Sequence, residues 1–398
     1  MGVVTPIGSD LDAFWASLLT GMTGAAPVAS FDTAALGVKV GCEVRDGGLP
    51  ADLRPHALGG RTTELALLAA RQAVEAAGLK STLPGDPDAA VVVGTTMGDV
   101  HGFEQARGAR AERDPGPEEL GLLARRPLDV IGRSIASLYG MTRPAVTVPA
   151  ACAAGGYAVG MAASLVARGR ARAVVAVGAE AFSRLAFVGF ARLGAMSPDV
   201  CRPFSRGRAG LLLGEGAAAL VVESDASARA RGAEIAGYVS GFGLSCDAFH
   251  VTGPHPEGLG AARALKDALK RARLDPDAVD YVNAHGTGTP LNDKVESLAI
   301  RRVFGERGAR LPVSSIKALT GHMMGAAGAA EAVASLLAIR HGVVPPTWNW
   351  VERDPDCDID CVPNEPRRAD LKHVVSNSYA FGGNNASLVL SAPSARPA

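Results

Sequence analysis

Short apolar runs alternate with longer stretches of helical spacing along nearly the whole chain. Ala89–Val93 is too short for a helix and is bounded by Pro87 and Gly94, which predicts a strand ending at the loop Gly94–Asp99. The β-branched run into Cys152, then Ala173–Val177 and Ala217–Val222, read the same way. Between them, Arg61–Ala77 has the spacing of an amphipathic helix stopped by Gly78, and small residues from Cys152 to about Arg168 predict another. The second half repeats this rhythm. Residues 256–273 read as a helix, Val279–Asn283 as a strand and the stretch to about 304 as a helix. Leu311–Ser314 is a strand leading to a small-residue helix over roughly 324–340, and Val374–Ser376 and Ala386–Leu390 are strands around a glycine turn. The charged stretch 103–127, with Pro115, Pro117 and Pro127, predicts a surface excursion. Met1–Gly8 reads as the tail of a strand whose beginning is absent.

Alternating strands and helices predict an α/β protein with parallel sheets covered on both faces. The matched order predicts an internal duplication. Cys152–Gly169 and Gly325–Gly342 look alike, small residues first, and would pack back to back at the centre. No long polar linker interrupts the chain, so the halves 1–223 and 233–398 are expected to be fused in one body.

Composition narrows the function classes. The 398 residues are 47% hydrophobic and only 5% aromatic, which favours close backbone packing. Forty basic and forty acidic residues cancel, giving no global field for nucleic acid or an anionic membrane. No signal peptide and no apolar run near the length of a membrane span is visible, so a cytoplasmic, reduced protein is expected. The cysteines at 42, 152, 201, 246, 357 and 361 are scattered. Cys357 and Cys361 lack a second Cys or His pair at zinc spacing, so no metal site is expected.

Four loops follow apolar strands, where α/β proteins place their chemistry. The first holds Cys152, on the first turn of a predicted helix, where unpaired N–H groups and the helix dipole favour the thiolate. Alone, it reads more readily as a small buried residue on a closely packed helix. The others hold His285 in Asn-Ala-His-Gly-Thr-Gly-Thr-Pro, Lys317 with His322, and Phe381-Gly382-Gly383. Each of these also has a structural reading, as a hydrogen-bonded His, a snorkelling Lys or an ordinary turn.

Taken together, these motifs resemble the β-ketoacyl-acyl-carrier-protein synthases, the elongating ketosynthases of the thiolase superfamily. The likeness covers nearly all of the chain, through Val146–Gly156, Asn283–Thr287, Lys317–His322 and Ser376–Ala386, with Arg202-Pro203-Phe204 and Gly214–Ala217 also fitting. It implies a thiolase-like fold of two duplicated βαβαβ-type halves layered α-β-α-β-α. It further implies decarboxylative Claisen condensation of an acyl thioester on Cys152 with malonyl-carrier. By the same resemblance, N–H groups of Cys152 and Phe381 form an oxyanion hole, His285 and His322 stabilise the enolate, and Lys317 joins Glu296 and Glu331 to orient His322. Phe381 resembles the gating phenylalanine, and Met97 lies at a pocket position. Arg202, Arg206 and Arg208, with Arg125-Arg126, would meet an acidic carrier protein. Substrates would ride on the carrier's phosphopantetheine, with no other cofactor, and the partner subunit would be a second copy or a ketosynthase-like chain.

The match departs from the family at Pro149 and Ala150, Asn292-Asp293, Ser205 and Asn384. None removes a catalytic group. They point to type II polyketide or specialised lipid synthesis over housekeeping fatty-acid elongation. The family's first strand begins upstream of the position matched by Met1, which implies a late start or a strand supplied from elsewhere. The alternative function is a non-extending partner subunit, against which Cys152 argues. A thiolase acting on coenzyme A thioesters would carry a second reactive Cys near the carboxy terminus, and none follows Cys361.

Overall fold

In the computed structural model, which describes residues 1–45, 48–100, 104 and 128–396, the apolar runs form two five-stranded sheets. The first contains β1 (Gly2–Val4), β2 (Ala89–Gly94), β3 (Val146–Val148), β4 (Ala173–Glu180) and β5 (Gly216–Glu223), in the order β1-β5-β4-β2-β3. The second contains β6 (Tyr238–Cys246), β7 (Tyr281–Asn283), β8 (Val313–Ser314), β9 (His373–Tyr379) and β10 (Asn384–Ser391), in the order β6-β10-β9-β7-β8. Numbered within its own half, each sheet therefore reads 1-5-4-2-3. The duplication expected from the sequence is present strand for strand.

The sheets are mixed, which corrects the expectation of parallel ones. In each half the second strand pairs in parallel with the third and fourth. The fourth and fifth strands pair antiparallel, as do the fifth and first. The fifth strand of each half runs against both of its neighbours, and a pattern of apolar runs carries no sign of that reversal.

Helices cover these sheets as α1 (Leu11–Thr20), α2 (Arg61–Ala76), α3 (Val130–Leu138), α4 (Ala154–Ala167), α5 (Arg184–Arg192), α6 (Asp225–Ala230), α7 (Leu259–Ala272), α8 (Pro290–Phe304) and α9 (Ala327–His341). One face of the first sheet packs Val91, Val93, Val175 and Val177 on α2 and α3. One face of the second packs Val282, Val375 and Val389 among residues of α7 and α8. The opposite faces enclose α4 and α9 in a shared central core. The layering is thus α-β-α-β-α. Helix α9 is buried from Ala327 to Ile339, as its nearly uniform small apolar surface requires. The central helices meet where glycine allows it: a Cβ on Gly155 would lie 2.6 Å from Ala329 N, and one on Gly328 2.6 Å from Gly156 N.

The helix expected over 256–273 starts later, at Leu259, after Gly258 with φ +64°. Strand β6 and helices α1, α3, α5 and α6 had no prediction. In β6, Gly241 and Gly243 weaken the strand signal, yet they let α7 pack closely: a Cβ on Gly243 would lie 1.9 Å from Ala264 O. Of the stretch 103–127, only Glu104 is among the described residues; it caps the start of α5 through Ser183 Oγ and the Leu185 N–H.

Candidate active site

The strand ends of both halves open on one cavity of about 310 Å³, lined by Cys152, His285, His322 and Phe381 together with Phe190, Leu193, Leu211, Tyr379 and Leu291. Cys152 sits on the tight turn Ala151–Ala153 between β3 and α4. Ala151 has φ +48°, a left-handed conformation that costs a non-glycine residue on the order of 1 kcal/mol. That turn presents the sulfur to the cavity, with the backbone N–H groups of Phe381 and of Cys152 itself directed at it.

The thiolate expected at the helix start is not the resting state. Burial pushes the Cys152 thiol up to about 12; Lys317 pulls it down and Glu180 pushes it up further. Desolvation of the charged sulfur outweighs the N–H groups and the helix end.

Three acceptors surround the Lys317 ammonium: the Glu331 carboxylate, His285 O at 2.6 Å and His285 Nδ1 at 3.3 Å. An ammonium has three N–H donors, so all are used, and Nδ1 of His285 accepts rather than donates. The ring proton of neutral His285 is therefore on Nε2. Burial drives His285 well below its ordinary value, and the charge of Lys317 and proximity of His322 add to this. His322 is lowered well below its ordinary value by burial and by Lys317. The two rings meet edge to face at 5.2 Å. Both imidazoles are neutral and can donate one hydrogen bond without carrying charge.

The predicted orientation of His322 by Lys317 is corrected here. Lysine bonds to His285, whereas His322 is held by its backbone, its N–H on Leu212 O at 2.7 Å and its carbonyl taking the Gly214 N–H at 3.0 Å. Glu296 accepts the backbone N–H groups of His285 and Gly286 at 2.9 and 2.8 Å and makes no bond to Lys317. Its carboxyl is raised to about 7 by burial. Burial also raises Glu331, with Lys317 working against it.

Phe381 opens a turn in which Gly382 and Gly383 take φ +80° and +78°. Its ring rests on Phe190, with centroids 5.5 Å apart. The Gly382 N–H donates to Val251 O at 2.7 Å, and the Asp247 N–H donates to Gly383 O at 2.8 Å. Asn385 Nδ2 ties the same turn to Asp247 Oδ1 at 2.9 Å. Asp247 and Phe190 were not foreseen, because only their partners across the fold mark them; Asn385 lies in the quoted glycine loop and could have been read there. Thr287 and Thr289, which line the cavity, lie in the quoted histidine motif and could have been read there.

Two expectations for the rim change. Met97 is half-buried and is not among the described residues lining the cavity. Arg208 is not a surface cation: it is 8% exposed, paired with Asp354, and donates to Pro290 O at 2.9 Å. Three flanking carbonyls and a buried carboxylate draw its head inward. Arg202 is tied to Asp199 at 2.8 Å, and Arg206 is exposed and faces Glu352 at 2.9 Å. Arg125 and Arg126 lie outside the described residues. All six cysteines are free thiols. Among the described residues no His, Cys, Asp and Glu cluster could hold a metal ion, and no helix is long and apolar enough to cross a membrane.

A nucleophile turn, two neutral imidazoles and a buried lysine at the strand ends of a duplicated α-β-α-β-α body define a thiolase-like condensing fold. The chain belongs to the β-ketoacyl synthase family: the model of its N-terminal domain matches residues 1–228 and that of its C-terminal domain 236–351. It is an acyltransferase of the 3-oxoacyl-[acyl-carrier-protein] synthase type. The 3-oxoacyl-[acyl-carrier-protein] synthase 2 of Coxiella burnetii is 38% identical over 400 residues, covering 98% of this chain and 97% of that one. The ishigamide ketosynthase/chain length factor structure superposes with a TM-score of 0.91 at 41% identity, covering 98% and 97% of the two chains. A type II polyketide ketosynthase bound to a hexaketide and in complex with its acyl-carrier protein gives 0.89 at 30% identity, covering 98% and 97%.

Proposed function

We propose that this protein lengthens an acyl chain by decarboxylative condensation with malonyl-carrier protein, and that it serves type II polyketide or specialised lipid synthesis. The observation that carries the reading is the convergence of the Cys152 sulfur, two N–H groups, His285 and His322 on one cavity. The Cys152 sulfur attacks the acyl thioester carbonyl, and the thiol proton leaves with the departing carrier sulfur. The N–H groups of Cys152 and Phe381 hold the oxyanion, a contribution of typically ~3 kcal/mol for one donor. Malonyl-carrier then loses carbon dioxide, and the Nε2–H of His285 and the ring N–H of His322 receive the enolate oxygen. Neutral donors suit a charge that exists only during reaction. The enolate carbon bonds to the acyl carbon, the Cys152 sulfur leaves, and it takes a proton from solvent.

Lys317 and Glu331 fix the tautomer of His285, and Glu296 fixes its backbone. Phe381 moves off Phe190 to admit the extender, with Gly382 and Gly383 as the hinge. Met97 acts on chain length from behind the cavity wall. Arg202 and Arg206 face an acidic carrier whose phosphopantetheine arm passes Thr287 and Thr289. The halves 1–223 and 233–398 act as one unit, and a second ketosynthase-like chain completes the assembly. The likeness to the ishigamide ketosynthase/chain length factor and the departures at Pro149, Ala150 and Asn384 support the polyketide assignment. Incubating the protein with an acyl-carrier and malonyl-carrier should give a β-ketoacyl-carrier two carbons longer by mass spectrometry. Carbon dioxide release without chain extension would overturn the reading.

A further inference from the structure

Glu180 ends β4 where the two halves meet, and the mechanism makes no use of it. It is 1% exposed and, among the described residues, forms no ion pair. Buried Glu215 pairs with Arg61 at 3.0 Å and Glu331 with Lys317, whereas Glu296, likewise without an ion pair among the described residues, takes its donors His285 and Gly286 from its own half. An ionised carboxylate without a cation needs donors on every side, and Glu180 has them. Oε2 accepts the N–H groups of Thr96 at 2.6 Å and Gly325 at 3.1 Å. Oε1 accepts the Met97 N–H at 3.1 Å and the Thr95 hydroxyl at 3.3 Å.

These donors come from different halves. Thr95–Met97 follow β2, and Gly325 lies in the turn Met324–Ala326 that joins His322 to α9. The fit is close: a Cβ on Gly325 would lie 2.7 Å from Glu180 Oε2 and 2.5 Å from Thr96 N. Strand β4 is already bonded to β2 and β5, so the sheet does not need these contacts. A carboxylate offers acceptors alone, whereas an amide would turn its NH₂ onto these donors.

We propose that Glu180 is a positioning residue for the condensation, binding the turn after β2 to the turn after His322 and so fixing His322 relative to Cys152. This rests on the ketosynthase reading. The Glu180 carboxylate also opposes charge on the Cys152 sulfur while Lys317 favours it, beside neutral His285 and His322.

The test is Glu180→Gln in the full chain, with the half-reactions measured separately. Malonyl-carrier decarboxylation should fall about 10- to 100-fold, the scale of a small misplacement, while acylation of Cys152 stays within about threefold. Alkylation of Cys152 by iodoacetamide should move to lower pH, because the charge opposing the thiolate is gone; loosened packing alone would not move it in that direction. Equal loss of both half-reactions, or an unmoved alkylation profile, would overturn the proposal. If Glu180→Gln does not fold, Gly325→Ala spreads the same turns by another route, and unimpaired decarboxylation there would overturn it too. Wild-type protein that condenses nothing would instead sink the ketosynthase reading, leaving the alkylation profile to decide where the Glu180 charge acts.

Discussion

The two halves share a strand order and diverge in chemistry. In the first, the turn before α4 carries a thiol, and the buried positions of α4 are Ala, Gly and Val. In the second, the loops after β7 and β8 carry imidazoles and an ammonium, and α9 brings Glu331 and Ser335 into the core. In the proposed reaction, electrophile capture rests on backbone geometry, a sharp turn and two N–H groups, and carbanion stabilisation on a buried polar network. Repeating one frame aims both sets of strand ends at the same cavity, after which each half is free to specialise.

The largest expected effect comes from removing the chemistry of one half alone. Cys152→Ala should abolish chain extension, by more than about 10³-fold, while malonyl-carrier decarboxylation persists, as separate assays of product and carbon dioxide will show. His322→Ala should do the reverse, with decarboxylation down about 10²- to 10³-fold and Cys152 still accepting acyl groups. Next in size, Lys317→Ala strands Glu331 in the core. Denaturant titration should show a loss of about 3–5 kcal/mol, with decarboxylation falling alongside as His285 loses its fixed tautomer. At the rim, Arg206→Glu should raise the KM for carrier severalfold at unchanged kcat, whereas Arg208→Glu should fail to fold, since Arg208 is buried in its ion pairs.

The smallest effect is a pH dependence. With the thiol pushed up to about 12, Cys152 alkylation should climb about tenfold per pH unit from pH 7 through pH 10, with no plateau near the ordinary thiol value. Glu180 and Glu296 are both raised to about 7 by burial, so the folded state holds protons the unfolded chain has lost between about pH 4.5 and 7. Their contribution therefore favours folding at the acid end of that window and is lost as pH rises through 7. The buried neutral histidines oppose it below pH 6.5, where the unfolded chain binds their protons. Thermal melts of wild type and Glu296→Gln should diverge across this window, with the deficit of the variant largest at the acid end and shrinking as pH rises through 7.

Much of this was legible in the chain. Apolar runs and glycine stops located the main strands, and the loops after them held Cys152, His285, His322 and Phe381. Four details were not legible. The antiparallel strands escaped notice because chain reversal leaves no periodic mark. β6 was hidden because its glycines serve the packing of α7. Arg208 looked like its exposed neighbours because its partners, Asp293 and Asp354, are distant in sequence. Lys317 was paired with the wrong histidine because it lies five residues from His322 in sequence yet reaches His285 in space.

What the sequence determined by itself was local: which residues form strands and helices, which loops carry reactive groups, and that the halves are related. Tertiary structure decided the protonation of Cys152, the tautomer of His285, the burial of Arg208 and the bridge made by Glu180. Each depends on desolvation and on contacts between distant segments, and both arise only when the two sheets close around α4 and α9.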